Sequence, residues 1–236
     1  MDPEFGSTRR RRAGVSLTIT LLLVAAAAWP VAAKARAPGQ LAAAGGGGVP
    51  ACASCHGAHG EGLPAAGFPQ LAGLDAGYLR DQLADLAGGR RDSPVMSPIA
   101  KRLAPGDAQA LAAWYAHLAP PVTAAAGAGA AAAATTRSIG EGLARHGDWS
   151  RGLPGCDQCH GPDGAGVGQT FPRLAGQSAR YIADQIQAWQ TGTRRNDPLG
   201  LMRGIAVKLS APETTAIAGY FASLPATPPR PSKARP

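Results

Sequence analysis

The residues of this chain that could do chemistry fall into one five-residue pattern, which occurs twice. The two copies are Cys52, Cys55 and His56, and Cys156, Cys159 and His160. Two residues between the cysteines place both sulfur atoms on one side of a helical turn, and the residue that follows is a nitrogen donor suited to iron. C-x-x-C-H is typical of c-type haem attachment, with two thioethers to one porphyrin and histidine on the iron. The sequence therefore predicts two covalently attached haem c groups.

Other interpretations of a Cys-x-x-Cys pair explain less of the pattern. A thioredoxin-like redox pair would need a strand-helix context, and the His-Gly that follows each pair argues against it. A four-cysteine zinc site would need both pairs to meet in one place and would leave both histidines without a role. A structural disulfide is the remaining alternative, and all four cysteines of the chain lie inside the two motifs.

A haem iron held by one histidine needs a sixth ligand, and the methionines are the candidates. Apart from Met1, the chain has only Met96 and Met202, which follow His56 and His160 by 40 and 42 residues. We expect both in loops between the middle and final helices of a repeat. A thioether is a soft ligand that favours reduced iron. The remaining histidines, which are His59, His117 and His146, are expected to be solvated surface residues.

The elements that would position these ligands also occur twice. The segment F-P-Q-L-A-G at residues 68–73 returns as F-P-R-L-A-G at 171–176, and Tyr78 and Gln82 return as Tyr181 and Gln185. Helical spacing of apolar residues follows each segment, and an aromatic-bearing helix closes each half. A repeat with small gaps indicates two copies of one domain.

The repeat and the composition shifts divide the chain into segments. Basic residues at 9–12, an apolar run at 15–28 and small residues before 37 are typical of a secretory signal, with a retained membrane anchor as the alternative. Either interpretation places the protein in the periplasm. The predicted segments are a vector scar plus signal peptide at 1–37, a first domain at 38–120, an Ala/Gly-rich linker at 121–136, a second domain at 137–228 and a disordered tail at 229–236.

The two copies differ before their motifs. The second has a helix candidate at residues 139–146, whereas the first has only a short stretch at 40–44. We therefore expect the first domain to be the less stable. The linker is longer than a tightly docked pair needs, so the sequence does not predict a fixed geometry between the domains.

Composition and charge restrict the classes of function that the protein could have. Aromatic residues make up 5% of the chain, which is little for an ordinary core, and a haem in each half would supply apolar bulk. Residues 1–37 hold six basic and two acidic side chains. Residues 38–120 hold five basic and six acidic side chains, and residues 137–236 hold twelve basic and seven acidic side chains. Much of the net charge of +8 thus belongs to the signal, and no basic stripe with interleaved aromatics follows. We do not expect nucleic-acid binding.

The C-x-x-C-H-G motif, the F-P-x-L-A-G segment, the late methionine and the aromatic final helix resemble a class I c-type cytochrome. Two such copies behind a signal peptide resemble the dihaem cytochrome c4 family. The resemblance implies an all-α fold of two tandem domains, each wrapped around one haem, and electron transfer in the periplasm, commonly towards a terminal oxidase. It also implies that Arg173 and Gln177 are polar partners of haem propionates. The first domain has Gln70 and Leu74 at these positions, which leaves its propionate contacts open.

The predicted function is single-electron transfer without catalysis, because a haem with both axial positions filled has no site for a substrate. The expected partners are redox proteins, with a membrane cytochrome complex or a dehydrogenase as donor and a terminal oxidase as acceptor. Association with a membrane surface is compatible with this role. The alternatives are a cytochrome subunit of a periplasmic dehydrogenase or sulfide-oxidising flavoprotein, and a dihaem enzyme such as a peroxidase or a thiosulfate dehydrogenase.

Overall fold

The computed structural model describes residue 1 and residues 37–121 and 132–226. The predicted signal sequence, most of the predicted linker and the predicted tail therefore lie outside the described residues. The described residues 37–121 and 132–226 belong to one compact unit. Among the described residues, no helix has the length and apolar character needed to cross a membrane.

The first half is built from short helices joined by turns, as the repeat predicts. The helices are α1 (Pro38–Ala44), α2 (Ala53–His56), α3 (Ala76–Gly88), α4 (Met96–Ala100) and α5 (Pro105–His117). The Asp75 side chain accepts a hydrogen bond from the backbone N–H of Tyr78 and begins α3, and Gly89 ends it in a left-handed conformation. These turn and cap residues separate the helices that surround the first motif.

The second half repeats this order. Its helices are α6 (Ala132–Arg145), α7 (Asp157–His160), α8 (Ala179–Thr191), α9 (Leu201–Ala206) and α10 (Ala211–Ser223), and its antiparallel strands are β1 (Gly147–Asp148) and β2 (Leu153–Pro154). Ser178 caps α8 as Asp75 caps α3, and Ser210 and Glu213 form a capping box at the start of α10. The predominantly helical architecture confirms the predicted fold class.

The helix before the second motif is longer than expected. Helix α6 begins at Ala132 and ends at Arg145, whereas the sequence favoured residues 139–146. Alanine is the best helix former, so the alanines from Ala132 onward extend the helix into the segment predicted as linker. The crossing of α6 and α10 is close, because a Cβ at Gly140 would lie 2.1 Å from the carbonyl oxygen of Ala216.

Each half buries its own apolar cluster. The first includes Leu41, Leu79, Leu111 and Tyr115, with Cys52 packed against it. The second is larger, and Cys156 and Met202 pack against it; its buried members include Ile182, Ile186, Trp189, Ile217 and Phe221. The first cysteine of each motif, Cys52 or Cys156, therefore packs against the apolar cluster of its own half.

Candidate haem-binding sites

The two motif histidines lie in matching environments at the ends of α2 and α7. His56 is 5% exposed and His160 is 6% exposed. The Nδ1 of His56 lies 2.9 Å from the carbonyl oxygen of Pro69, and that of His160 lies 2.8 Å from the carbonyl oxygen of Pro172. A carbonyl oxygen can only accept, so Nδ1 donates in both cases and Nε2 keeps its lone pair for a metal.

Burial favours the form of these histidines that binds iron. It lowers the pKa of both His56 and His160, and the positive charges of Arg91 and Arg194, respectively, lower them further, against the opposing effect of the backbone hydrogen bonds. The imidazoles are therefore neutral at neutral pH, as a nitrogen ligand must be.

The four thiols are free and partly buried. Burial raises the pKa of Cys52 and raises that of Cys156 to about 12. Within residues 37–121 and 132–226, no three His, Cys, Asp or Glu side chains lie together in a group that could hold a metal ion. The zinc site considered from the sequence is therefore not formed, because the two cysteine pairs lie in different halves.

Glycines let the F-P-x-L-A-G segment approach each motif. The N–H of Gly62 donates to the carbonyl oxygen of His56 at 2.7 Å, and that of Gly166 donates to His160 at 2.6 Å. Both glycines have positive φ, and a Cβ would lie 2.8 Å from the backbone nitrogen of Gln70 or 2.7 Å from that of Arg173. No other residue type fits at either position without moving the segment.

The two methionines lie in short helices and not in the loops expected from the sequence. Met96 is the first residue of α4 and Met202 the second residue of α9, and both are partly buried. The Ser93 hydroxyl accepts a hydrogen bond from the N–H of Met96 at 3.1 Å, which starts the helix despite the flanking prolines. Met202 packs against the second apolar cluster.

The two residues expected to contact propionates reach across to the other half. The Gln177 Oε1 accepts from the Gln70 N–H at 2.9 Å, and its Nε2 donates to the Gln70 carbonyl at 3.0 Å. Arg173 donates to the carbonyl of Ala72 at 2.8 Å, and burial lowers its pKa to about 10. These contacts bring the two F-P-x-L-A-G segments together, and nothing in the linear sequence indicated the pairing.

The buried polar groups fit an anionic cofactor edge beside these segments. The side chain of Gln70 is 2% exposed, and neither its Nε2 nor its Oε1 has a hydrogen-bond partner in the protein. The indole N–H of Trp189 is also buried without an acceptor. Burying such groups is costly unless a ligand satisfies them, and a propionate can accept from both kinds of donor. Gln70 is thus a candidate site residue. Its position in the repeat, equivalent to that of Arg173, is the signal in the sequence that could have indicated it.

A network of arginines and their acceptors continues this contact between the halves. Arg91 donates to Tyr181 and Gln185, and Arg194 donates to Tyr78 and Gln82. The backbone N–H of Arg195 donates to the carbonyl of Arg90 at 2.7 Å, and that of Asp92 donates to Thr193 at 2.8 Å. The geometry between the domains, which the linker left open, is therefore set by a hydrogen-bonded interface.

Comparison with known proteins agrees with this architecture. The cytochrome c family profile matches residues 40–119 and 153–225, one match in each half. The thiosulfate dehydrogenase electron acceptor of Stutzerimonas stutzeri (strain A1501) is 48% identical over 174 residues, which cover 74% of this chain and 79% of that protein. Cytochrome c4 of Pseudomonas aeruginosa is 37% identical over 212 residues, covering 89% of this chain and 97% of that protein.

A solved structure is similar as well. Thiosulfate dehydrogenase TsdBA from Marichromatium purpuratum, in its as-isolated form, is 46% identical with a TM-score of 0.74. The match covers 80% of this chain and 40% of that one. Together with the doubled motif, these likenesses confirm the predicted family and cofactors. The chain belongs to the cytochrome c family, as a dihaem electron carrier of the cytochrome c4 kind with two covalently attached haem c groups.

Proposed function

We propose that this protein accepts single electrons from a periplasmic thiosulfate-oxidising dehydrogenase and passes them to a respiratory acceptor. The observation that carries the proposal is the 48% identity to a protein named as the electron acceptor of thiosulfate dehydrogenase, compared with 37% to cytochrome c4. It corresponds to one of the alternatives that the sequence left open, a cytochrome that serves a dehydrogenase.

Each half supplies a complete set of ligands in this proposal. Cys52 and Cys55 would hold one haem through thioethers, and Cys156 and Cys159 the other. His56 with Met96, and His160 with Met202, would bind the two irons. Support comes from the two Nδ1 hydrogen bonds, which leave each Nε2 available, and from the packing of Met202 against the second apolar cluster. A haem held by both a histidine and a methionine would supply one-electron chemistry and would leave no site for a substrate.

Arg173, Gln177 and Gln70, which meet at the junction of the two halves, are the residues that would hold haem propionates. Arg173 and Gln177 are 4% and 5% exposed, and the Gln70 amide lacks a protein partner. A buried guanidinium and a buried amide stabilise a carboxylate that would otherwise be expensive to remove from water. These three residues would therefore orient the two cofactors through their propionates.

The test is reduction of the purified dihaem protein by a bacterial thiosulfate dehydrogenase. Catalytic amounts of that enzyme with thiosulfate should reduce both haems, read from the absorption of the reduced form, whereas thiosulfate alone should not. The matched control is cytochrome c4 of Pseudomonas aeruginosa, which we expect to be reduced more slowly. If the protein is reduced by ascorbate but not by the enzyme, the assignment of the donor is wrong.

A second candidate is a free shuttle between a membrane cytochrome complex and a terminal oxidase. It is favoured by the cytochrome c4 relative, 97% of which is covered by the match. Rapid oxidation by an oxidase-containing membrane preparation, without turnover with the dehydrogenase, would support this function instead.

The location that fits both candidates is the periplasm. The basic, apolar and small-residue order of residues 9–37 supports export. Fractionation and N-terminal sequencing of the mature protein should find a chain that begins near residue 38. A chain recovered in membranes with its N-terminal segment intact would indicate an anchor.

A further inference from the structure

Arg194 is a deeply buried charge at the interface between the two halves. It is 4% exposed. Its Nε donates to Asn196 Oδ1 at 2.9 Å and one Nη to Gln185 Oε1 at 2.9 Å, both in the second half. Its other Nη donates to Gln82 Oε1 at 3.0 Å and to the Tyr78 hydroxyl at 3.4 Å, both in the first half. One guanidinium thus joins the two domains.

Arg91 makes the reciprocal contacts. One Nη donates to Gln82 Oε1 of its own half at 3.0 Å. The other donates to the Tyr181 hydroxyl at 2.7 Å and to Gln185 Oε1 at 2.8 Å in the second half. The backbones of Arg91 and Arg194 pair as an isolated antiparallel bridge. The two arginines therefore exchange partners across a pseudo-twofold relation that follows from the sequence repeat.

Neither guanidinium of this pair contacts a carboxylate of the described residues, although, against the opposing effect of burial, the nearby tyrosines and Asp85 raise the pKa of Arg91. The oxygens that accept from the two guanidiniums belong to glutamine, tyrosine and asparagine side chains. Against the opposing effect of burial, the charges of Arg91 and Arg194 lower the pKa of the Tyr181 hydroxyl. Asp85 lies nearby, but it forms an ion pair with Arg90 and accepts from Asn196 at 2.7 Å. Among the ion pairs of the described residues, none includes Arg91 or Arg194. Burying two cations that share acceptors and have no carboxylate of their own costs free energy, unless they stabilise a negative charge on a bound group.

Contacts of Arg194 connect this charge to both cofactor environments. Its guanidinium lies 3.9 Å from the centre of the Trp189 ring. Trp189 belongs to the buried cluster against which Cys156 and Met202 pack. Tyr78, on the other side of the guanidinium, belongs to the cluster against which Cys52 packs. Arg194 therefore lies between the apolar environments of the two haem-binding motifs.

We propose that Arg91 and Arg194 form a shared cationic pair that raises the reduction potentials of both haems, each arginine acting on the haem of the other half as well as on its own. Reduction adds one negative charge to a haem, and a fixed positive charge in a poorly solvated interface favours that form. The arginines act only through their charge and do not themselves exchange electrons. The proposal depends on the two haem c groups and not on which dehydrogenase is the donor.

The experiment is an electrochemical titration of the holoprotein, with the electrode as electron source and the two haems distinguished by NMR of their ring methyl groups. Arg194→Gln and Arg91→Gln should each lower both potentials. We expect the reduced-to-oxidised ratio of each haem at a fixed electrode potential to fall about tenfold, which is the order of effect expected when one nearby charge is lost from a poorly solvated site. Arg194→Lys keeps the charge and should stay near the wild-type ratio.

Arg195→Gln is the matched control. Arg195 also donates across the interface, to the carbonyl of Gly89 at 3.1 Å, but its side chain is exposed and its charge is screened. It should leave both potentials close to those of the wild type.

Three outcomes with the glutamine variants would overturn the proposal. They are potentials unchanged in both glutamine variants, a shift confined to the haem of the mutated half, or an equal shift in Arg195→Gln. If Arg194→Gln does not fold, Arg91→Gln and Arg194→Lys carry the test. A fall in Arg194→Lys as large as in Arg91→Gln would assign the effect to hydrogen-bond geometry and contradict a role for charge.

Discussion

His56 and His160 illustrate how single residues are prepared for their role before any cofactor is considered. Each is almost fully buried, and each has its Nδ1 committed to a proline carbonyl. The prolines belong to the F-P-x-L-A-G segments, which glycines at fixed positions bring against the motifs. The tautomer and the direction of the free nitrogen are thus consequences of backbone geometry. The methionines are less constrained, since both are only partly buried at the starts of short helices.

Replacing one methionine tests the axial assignment. Met202→His should lower the potential of the second haem, because imidazole stabilises ferric iron more than a thioether does. The fall should be on the order of 100 mV, within the range of about 0.8 V that axial ligands span. The sulfur–iron band in the near infrared should fall by about half.

Met96→His is the paired control, and it should produce the same change in the first haem. An unchanged near-infrared band in either variant would mean that another residue binds the iron.

Among the helices, the contrast between α1 and α6 is the main difference between the two halves. Helix α1 has 7 residues and α6 has 14. The longer helix packs closely on α10 through Gly140, and the second apolar cluster is the larger. A half with more buried apolar surface is stabilised more against local opening.

Amide hydrogen exchange of the holoprotein tests this difference. The amides of α10 should exchange more slowly than those of α5, because α10 is covered by the longer helix. Gly140→Ala should speed exchange in α10, since its Cβ would meet the Ala216 carbonyl. Slower exchange in α5 than in α10 would show that the first domain is the more stable.

The capping box of α10 makes a pH-dependent contribution. Hydrogen bonds from Arg151 and Ser210 lower the pKa of Glu213 to about 2. A carboxylate whose folded pKa lies below its unfolded value of about 4.3 stabilises the fold above that value, and the contribution is lost as the pH falls through about 2. Glu213→Gln should therefore lower the free energy of unfolding by about 1 kcal/mol at pH 7, and the loss should be smaller at pH 2.

Denaturant unfolding at several pH values measures this effect. Glu141→Gln is the control, because Glu141 pairs with Arg145 on an exposed surface and should matter little at any pH. Equal losses at pH 7 and pH 2 for Glu213→Gln would contradict the mechanism.

At the scale of the whole molecule, the two halves carry different charge and meet through a polar interface. Residues 38–120 hold five basic and six acidic side chains, whereas residues 137–236 hold twelve and seven. The electrostatic field of such a molecule is uneven, and fields of this kind steer encounters with partners of opposite charge.

Stopped-flow electron transfer with a redox partner tests steering. The second-order rate should fall as ionic strength rises, because screening shortens the reach of surface charge to about 8 Å at physiological salt. Uncharged sucrose at matched viscosity is the control. A rate that does not change with salt would mean that steering does not contribute.

The sequence by itself determined the cofactors, the helical repeat and the family, because C-x-x-C-H and the F-P-x-L-A-G segment are local patterns whose chemistry depends on spacing alone. It also placed the candidate axial ligands, which remain predictions until ligation is measured. Only the tertiary structure decided how the halves meet. Arg173 and Gln177 hydrogen-bond to residues about a hundred positions away, and Arg91 and Arg194 exchange partners across the interface. Such contacts depend on the docking of two folded surfaces, and the local pattern of residues in the sequence does not indicate which surfaces dock.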